Sequence, residues 1–393
     1  MSLKDKVAVV GLGMTYVARG EDAGLAVGDL AILAAEAALN EAGLGHKDLE
    51  NFAWASGAGD PGGMAATMGV PEVMFAANLT SGPGGGAGAL GLAASSIVGG
   101  FGDVCLSIIT AQTAPKRPTG TSSVFRANPV AGGGAYGGPT GPQPEEAFVA
   151  PASISSQGAT TAMIANRYLH EHGVPREHLG AVVVSQRANA GDALTLEEYL
   201  RSPLIVGPLS ALDCTPDLEG GFAAAVITTT VERARDLAQP PIIITAAATG
   251  GTPSHATAFQ MPSDTFGSSG HRAVAADLYA MAGMGPDDID VALLYDDFSP
   301  MVLMQLEDYG FCGAGEAGAF VAGGNTSVRG GKIPVNTHGG NLSSAYVRGI
   351  THVFEAVQQL RGTATNQVDG AQFALVTGSP ATIPLSAVIL RKA

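Results

Sequence analysis

The chain has 393 residues, 46% of them hydrophobic and 14% charged, with a formal net charge of −15. That is enough for a large buried core, in one big or two similar domains. The acidic balance excludes non-specific binding to nucleic acid, and a polyanionic ligand would have to be met by local basic residues. The 55 glycines sit among strongly periodic apolar residues, so they read as tight turns and close-packed backbone, not disorder.

The first strand is predicted at Lys6 to Gly11, so no signal peptide is expected. Its end, Gly11-Leu12-Gly13-Met14-Thr15, is a fragment of a dinucleotide fingerprint with Tyr16 in place of the third glycine, and it reads as a glycine turn. Asp29 to Ala42 has helical spacing (Leu30, Leu33, Ala34, Ala37, Ala38) and closes at Gly43. Asp48 to Ala55 reads as a strand. Thr80 to Gly88 is a glycine-rich loop, where backbone must approach a ligand or the same element of a second subunit. A small-residue helix (Ala89 to Val98) and a strand (Asp103 to Ile109) follow.

Ala114 to Ala150, rich in Gly, Pro, Ser and Thr, is too long for a simple connection and reads as an excursion over a site or partner, or as a surface insert. Ser156 to His172 is predicted helical, Leu179 to Ser185 a strand, Leu196 to Leu200 a short helix, and Ala223 to Thr229 a strand. His170 and His172, at i and i+2 on a helix, do not share a face, and no metal site is expected there. Cys105, Cys214 and Cys312 follow no disulfide or metal spacing. A reduced, cytoplasmic setting is the expectation, with no membrane span.

Ala42-Gly43-Leu44-Gly45-His46-Lys47-Asp48-Leu49-Glu50 recurs as Ala282-Gly283-Met284-Gly285-Pro286-Asp287-Asp288-Ile289-Asp290. Each copy lies between an Ala-rich helix and an apolar strand. The strand Pro241 to Ala246 matches the opening strand, and residues 80–109 have a counterpart in 336–377. Two halves in the same order imply an internally duplicated α/β fold with a pseudo-twofold axis and one cleft between equivalent loops. The division expected is 1–113 with 152–235 for the first half, 114–151 for the inserted loop region, and 236–393 for the second half.

Two stretches carry the chemistry. Val291 to Leu294 ends abruptly in Tyr295-Asp296-Asp297-Phe298, as a buried strand does when it delivers polar groups to a site. Asn336-Thr337-His338-Gly339-Gly340 leads through Ala345 to Tyr346, just before a helix-like run. A tyrosine at a strand end is usually a packing residue; two such tyrosines meeting in one pocket can move protons.

These features resemble the thiolase superfamily, and within it the sterol-carrier-protein type, over nearly the whole chain. Leu212 to Ala225, with Asp213-Cys214-Thr215-Pro216, is similar to that group's Asp-Cys-x-Pro stretch, and Gly310-Phe311-Cys312-Gly313 also fits. The resemblance implies five α/β/α/β/α layers. The catalytic positions depart from the family. Pro83 stands at the nucleophilic cysteine. The His-Asp-Cys-Phe motif reads Tyr295-Asp296-Asp297-Phe298, and Gly-His-Pro reads Ala345-Tyr346-Val347. The last Cys-x-Gly falls on Val376-Thr377-Gly378. Acyl-enzyme formation needs a thiolate, so thiolysis is not expected.

The pair of tyrosines resembles the steroid side-chain aldolases of the same superfamily. That resemblance implies retro-aldol cleavage of a 17-hydroxy steroid 20-carboxyl-CoA thioester to a 17-ketosteroid and propionyl-CoA. No cofactor is implied beyond the CoA of the substrate. Tyr295 and Tyr346 would be base and acid, in either order. His338, Gly340 and other backbone N–H groups of the glycine loops would hold the thioester oxygen, and Asp296 or Asp297 would position Tyr295 or a water; Asp297 could equally cap the segment beginning at Phe298. Arg117, Arg126 and Arg348 are candidates for the CoA phosphates by position. A homodimer and a small OB-fold, zinc-ribbon partner are implied by the same resemblance. The rival readings are a non-catalytic acyl-CoA-binding scaffold subunit, a thiolase-type acyltransferase with an unorthodox nucleophile, and a hydratase or dehydratase acting on an enoyl-CoA.

Overall fold

The computed structural model describes residues 3–18, 25–55, 60–79, 85–112, 156–252, 266–344, 347–379 and 384–393. The first half holds β1 (Val7–Ala18), α1 (Val27–Ala42), β2 (Asn51–Ala55), α2 (Pro61–Met68), β3 (Phe75–Leu79), α3 (Gly85–Val98) and β4 (Val104–Gln112). Then come α4 (Gln157–His172), α5 (Arg176–Asn189), α6 (Leu196–Arg201), β5 (Leu204–Val206), β6 (Leu209–Ser210), β7 (Gly220–Thr230) and α7 (Val231–Ala234). The second half holds β8 (Ile242–Gly250), α8 (Arg272–Ala282), β9 (Val291–Leu293), α9 (Ser299–Asp308), α10 (Ala317–Ala322), α11 (Gly340–Ser343), α12 (Ile350–Arg361), β10 (Phe373–Gly378) and β11 (Leu385–Lys392). The expected insert at 114–151 lies outside the described residues.

Among the described residues the main sheet has nine strands, in the order β3-β2-β4-β7-β1-β8-β11-β10-β9. β1 and β8 pair antiparallel through Val7–Val9 and Ile242–Ile244, and this seam joins the halves. Outward from it, β7 is antiparallel to both β1 and β4, and β4 and β3 each run parallel to β2. On the other side β11 is antiparallel to both β8 and β10, β10 is parallel to β9, and Val335 makes a parallel bridge to Ala292. The two series are the same, as a pseudo-twofold axis through the seam requires. The repeated stretches match in detail. Gly43 and Gly283 end their helices in the left-handed region, at φ 73 and 68. One turn later Asp48 and Asp288 accept the N–H of Gly45 and Gly285 at 2.9 and 2.8 Å.

Apolar spacing sorts these elements into layers. α1 buries Leu30, Ala34, Ala38 and Leu39, a stripe at helical period, against the outer face of the first-half sheet with Phe52, Trp54 and Ile227. α3 and α12 lie between the two halves of the sheet, where Leu90, Ala94 and Ile97 meet Val353, Val357 and strand residues from both sides. α4, α5, α8 and α9 cover the other outer face through Ile164, Val183, Leu278 and Leu303. Removing such apolar area from water is the main force holding the layers, at about 25 cal/mol per Å². A polar tie joins the halves: Arg361, at the end of α12, donates to Glu41 Oε1 on α1 at 3.0 Å and to the Val10 carbonyl at 3.3 Å.

Three sequence readings are corrected. Residues 179–185 are not a strand but the middle of α5, whose buried residues Leu179, Val182, Val183 and Gln186 follow a period of 3.6. Gly11 and Gly13 do not form a turn; β1 runs on through Ala18. Both lie against α1, where an added Cβ would collide with the carbonyl oxygens of Ala38 and Ala34. The glycine run has already become α3 at Gly85, and its close neighbour is α12 of the same chain. A Cβ at Gly86 would sit 2.9 Å from both the Gly349 oxygen and Val353 Cγ2. Among the described residues no helix is long and apolar enough to cross a membrane.

Candidate active site

β9 is buried throughout and has one regular partner strand. Beyond it the ladder is continued by side chains. Asn336 accepts the Leu294 N–H through Oδ1 at 2.8 Å and donates to its carbonyl through Nδ2 at 2.9 Å. At Tyr295 a closed triangle takes over. The Tyr295 N–H donates to Thr377 Oγ1 at 2.8 Å, Thr377 donates to Gln305 Oε1 at 2.6 Å, and Gln305 Nε2 returns to the Tyr295 carbonyl at 2.7 Å. The backbone that carries this phenol is fixed on both sides, and 1% of the residue is exposed. Its ring lies against the loop leading into α12, where Gly349 at φ 69 leaves it room; a Cβ there would be 2.9 Å from Cδ2.

Asp296 points to the glycine loop. Its two oxygens accept the N–H groups of Asn341 and Leu342 at 3.0 and 3.1 Å, and Oδ1 lies 3.0 Å from Nε2 of His352 on α12. Those two N–H groups of the glycine loop are therefore turned to Asp296. Gly340, at φ 67, lies so close that a Cβ would overlap the Asp296 carboxylate. His338 packs edge-on against His352, centroids 5.0 Å apart. Both its ring nitrogens are buried without a hydrogen-bond partner. Burial first, and the charge of His352 second, hold it well below the usual histidine range, so it is a neutral imidazole with one N–H to give.

Asp297 turns to the other wall. Gln157, at the start of α4, donates to its Oδ2 at 2.8 Å, while Oδ1 has no partner. Burial and the neighbouring Asp296 push it up to about 8, so it is protonated at neutral pH. A backbone hydrogen bond from Phe298, where α9 begins, works against that rise. Ser299 donates to Asp213 Oδ1 at 2.7 Å, which also accepts from Tyr199 at 2.6 Å. The Thr215 N–H donates to the Asp297 carbonyl at 3.0 Å. The Asp-Cys-x-Pro stretch thus braces the floor of the site.

Of the other candidates, Arg348 has φ 58, and its carbonyl accepts the Gly86 N–H at 3.2 Å, tying the start of α3 to the α12 loop. Tyr346, Pro83, Arg117 and Arg126 lie outside the described residues. Cys105 lies inside buried β4 with its thiol pushed up to about 12 by burial, which leaves no thiolate for catalysis. Burial pushes Cys312 up to about 12 as well. Sequence reading missed His352, Gln157 and the Thr377–Gln305 clamp. The signal for His352 was its place on the buried, apolar side of an amphipathic helix.

Known proteins place this arrangement. A steroid side-chain-cleaving aldolase from Thermomonospora curvata is 34% identical over 407 residues, 99% of this chain and 98% of that protein. The chain belongs to the thiolase superfamily, among the steroid side-chain-cleaving aldolases. The 17-hydroxy-3-oxo-4-pregnene-20-carboxyl-CoA lyase of Mycobacterium tuberculosis is 40% identical over 257 residues, 63% of this chain and 65% of that one. The model of the thiolase C-terminal domain-like family matches residues 250–392. Among solved structures, the Ltp2-ChsH2(DUF35) aldolase superposes with a TM-score of 0.84 at 31% identity, covering 100% of this chain and 99% of that one. Human mitochondrial 3-ketoacyl-CoA thiolase, at 14% identity and a TM-score of 0.67 over 100% and 99% of the two chains, shares the fold.

Proposed function

We propose that this chain is a carbon–carbon lyase that cleaves the side chain of a 17-hydroxy steroid 20-carboxyl-CoA thioester by a retro-aldol reaction. The observation that carries this reading is the setting of Tyr295: a buried phenol on a backbone clamped by Thr377 and Gln305, in a fold whose cysteine nucleophile has been lost. A base takes the proton of the tertiary hydroxyl. The bond from the hydroxyl-bearing carbon to the thioester α-carbon breaks, leaving a ketone. Its electron pair enters the thioester as an enolate, which an acid protonates on carbon. Tyr295 is the base and Tyr346 the acid in this reading. The neutral imidazole N–H of His338 supports a role as donor to the enolate oxygen.

The chemistry needs no covalent adduct and no cofactor beyond the CoA carried by the substrate. Arg348 in the loop before α12 is a candidate for the CoA phosphates, as are Arg117 and Arg126. The presence of a DUF35 component in the similar solved aldolase supports a heteromeric complex with a partner protein; that the partner is a small OB-fold, zinc-ribbon protein, that the core is a homodimer and that the setting is cytoplasmic belong to the same proposal. Product analysis tests the reaction. Purified protein, with and without such a partner, is incubated with a 17-hydroxy steroid 20-carboxyl-CoA. Equal amounts of 17-ketosteroid and propionyl-CoA are expected. An enoyl-CoA product would mean a dehydratase, and no conversion under any condition would mean a scaffold.

A further inference from the structure

Both polar atoms of the Asn341 side chain, Oδ1 and Nδ2, lack a hydrogen-bond partner, and the residue is fully buried. A buried amide in that state is costly, and a folded protein keeps one for a reason. Two neighbours in the glycine loop share the condition: neither the ring nitrogens of His338 nor the Ser343 hydroxyl has a partner. The backbone here, by contrast, is tied down. The N–H groups of Asn341 and Leu342 go to Asp296, Asn366 donates to the Thr337 carbonyl at 2.7 Å, and Ser344 donates to the Gly340 carbonyl at 2.8 Å. A Cβ on Gly339 would stand 2.7 Å from the Cβ of Ala190, just past α5, and one on Gly340 would overlap the Asp296 carboxylate. The loop is wedged in place while its side-chain hydrogen bonds stay open.

This loop lies beside the end of the catalytic strand. The Asn341 nitrogen is 3.0 Å from Oδ1 of Asp296, the residue after Tyr295. His338 is linked to the same tyrosine through His352, whose ring centroid is 5.0 Å from that of His338 and 6.5 Å from that of Tyr295. Retro-aldol cleavage places negative charge on the thioester oxygen, and donors fixed in advance around that oxygen lower the barrier. The backbone N–H groups of Asn341 and Leu342 cannot serve, because Asp296 holds them. Side-chain N–H groups remain. Asn336 spends its own on the Leu294 carbonyl, so within residues 336–344 the free ones are those of His338 and Asn341.

We propose that the Asn341 carboxamide donates to the thioester oxygen of the substrate and, with the His338 N–H, holds the enolate as it forms. This rests on the retro-aldol reading above. The electron pair of the breaking carbon–carbon bond passes to the α-carbon and on to that oxygen. Asn341 keeps both of its hydrogens throughout, and the acid delivers its proton to the α-carbon. The cost of an unpaired amide in the free protein is recovered when the charge appears, so the contact favours the enolate over the resting enzyme.

Asn341→Leu keeps the shape of the side chain and removes the donor, and it separates this role from a structural one. An apolar group replaces an unpaired buried amide, so the urea-unfolding midpoint should hold or rise. Over the same change kcat for side-chain cleavage should fall about 10²–10³-fold, as when one oxyanion donor is lost. An unchanged kcat, or a loss that only follows the folded fraction, overturns the proposal. A measurement on the unaltered protein needs no variant to fold. A 17-deoxy steroid 20-carboxyl-CoA has no hydroxyl to start the cleavage but keeps the thioester oxygen. On its addition the side-chain N–H signals of Asn341 should move downfield in NMR spectra, and signals that stay in place with the protein saturated overturn the proposal. Because that measurement needs no turnover, failure of the Asn341 contact and failure of the lyase reading are told apart.

Discussion

Gly349 lies flat against the Tyr295 ring, with room for a hydrogen and not for a methyl group: a Cβ would stand 2.9 Å from Cδ2 and 3.1 Å from Cε2. Its φ of 69 is also one that side chains resist. Gly349→Ala should cost about 1–3 kcal/mol of stability by strain alone. It should also displace the phenol, so that activity falls further than the folded fraction does. Denaturant unfolding and kcat measured on one preparation separate the two losses.

Asp297 sets a pH dependence of stability. Its folded pKa, about 8, is raised above the usual 3.8. Its contribution is therefore fully present below pH 4 and lost as pH rises towards 8, where the unfolded chain ionises and the folded one resists. The slope from this group is up to about 1.4 kcal/mol per pH unit. Asp297→Asn, which cannot ionise, should flatten the profile between pH 4 and 8 in urea-unfolding midpoints. An unchanged slope would contradict the assignment of a protonated carboxyl.

Cys105 should be dispensable for chemistry. It is fully buried with a thiol pKa near 12. Cys105→Ala should cost about 1 kcal/mol through lost packing and leave the rate of side-chain cleavage nearly unchanged. In the native protein the thiol should resist alkylation until denaturant is added. Loss of turnover in a folded Cys105→Ala protein would revive an acyl-enzyme route.

The tie between Glu41 and Arg361 should couple the two halves. The Arg361 guanidinium is well buried, and it reaches Glu41, Val10 and the Pro240 carbonyl. Glu41 is partly exposed and also accepts the Leu12 N–H, so removing Arg361 should cost about 1 kcal/mol, chiefly through its lost hydrogen bonds. A double-mutant cycle with Glu41→Gln should show a coupling of about 1 kcal/mol. Additive losses would mean the pair does not hold the halves together.

Much of this architecture was written in local patterns. The repeat around Gly43 and Gly283 exposed the duplication because each copy needs a left-handed residue at a helix end, an aspartate to close the next turn, and an apolar strand. The abrupt change from Leu294 to Tyr295-Asp296-Asp297 exposed the site for the same reason: a buried strand tolerates polar residues at its end. Residues 179–185 misled because a Val-Val-Val run suits a strand as well as a buried helix. The role of Gly11 and Gly13 depended on how closely α1 approaches β1. His352 was hidden because its meaning depends on Asp296, 56 residues away in the chain, and on the stacking of its ring with Tyr295. Such pairings come from packing, and no spacing within one element encodes them.

The account turns on Tyr295, and one comparison tests it most directly. The protein and its Tyr295→Phe variant, each shown to be folded, are assayed side by side for release of 17-ketosteroid and propionyl-CoA from a 17-hydroxy steroid 20-carboxyl-CoA. Removing a proton-transfer group of this kind should lower kcat by about 10²–10⁴-fold, while the backbone clamp through Thr377 and Gln305, which does not involve the phenol oxygen, stays in place. Cleavage by Tyr295→Phe at the unaltered rate would contradict the account at its centre.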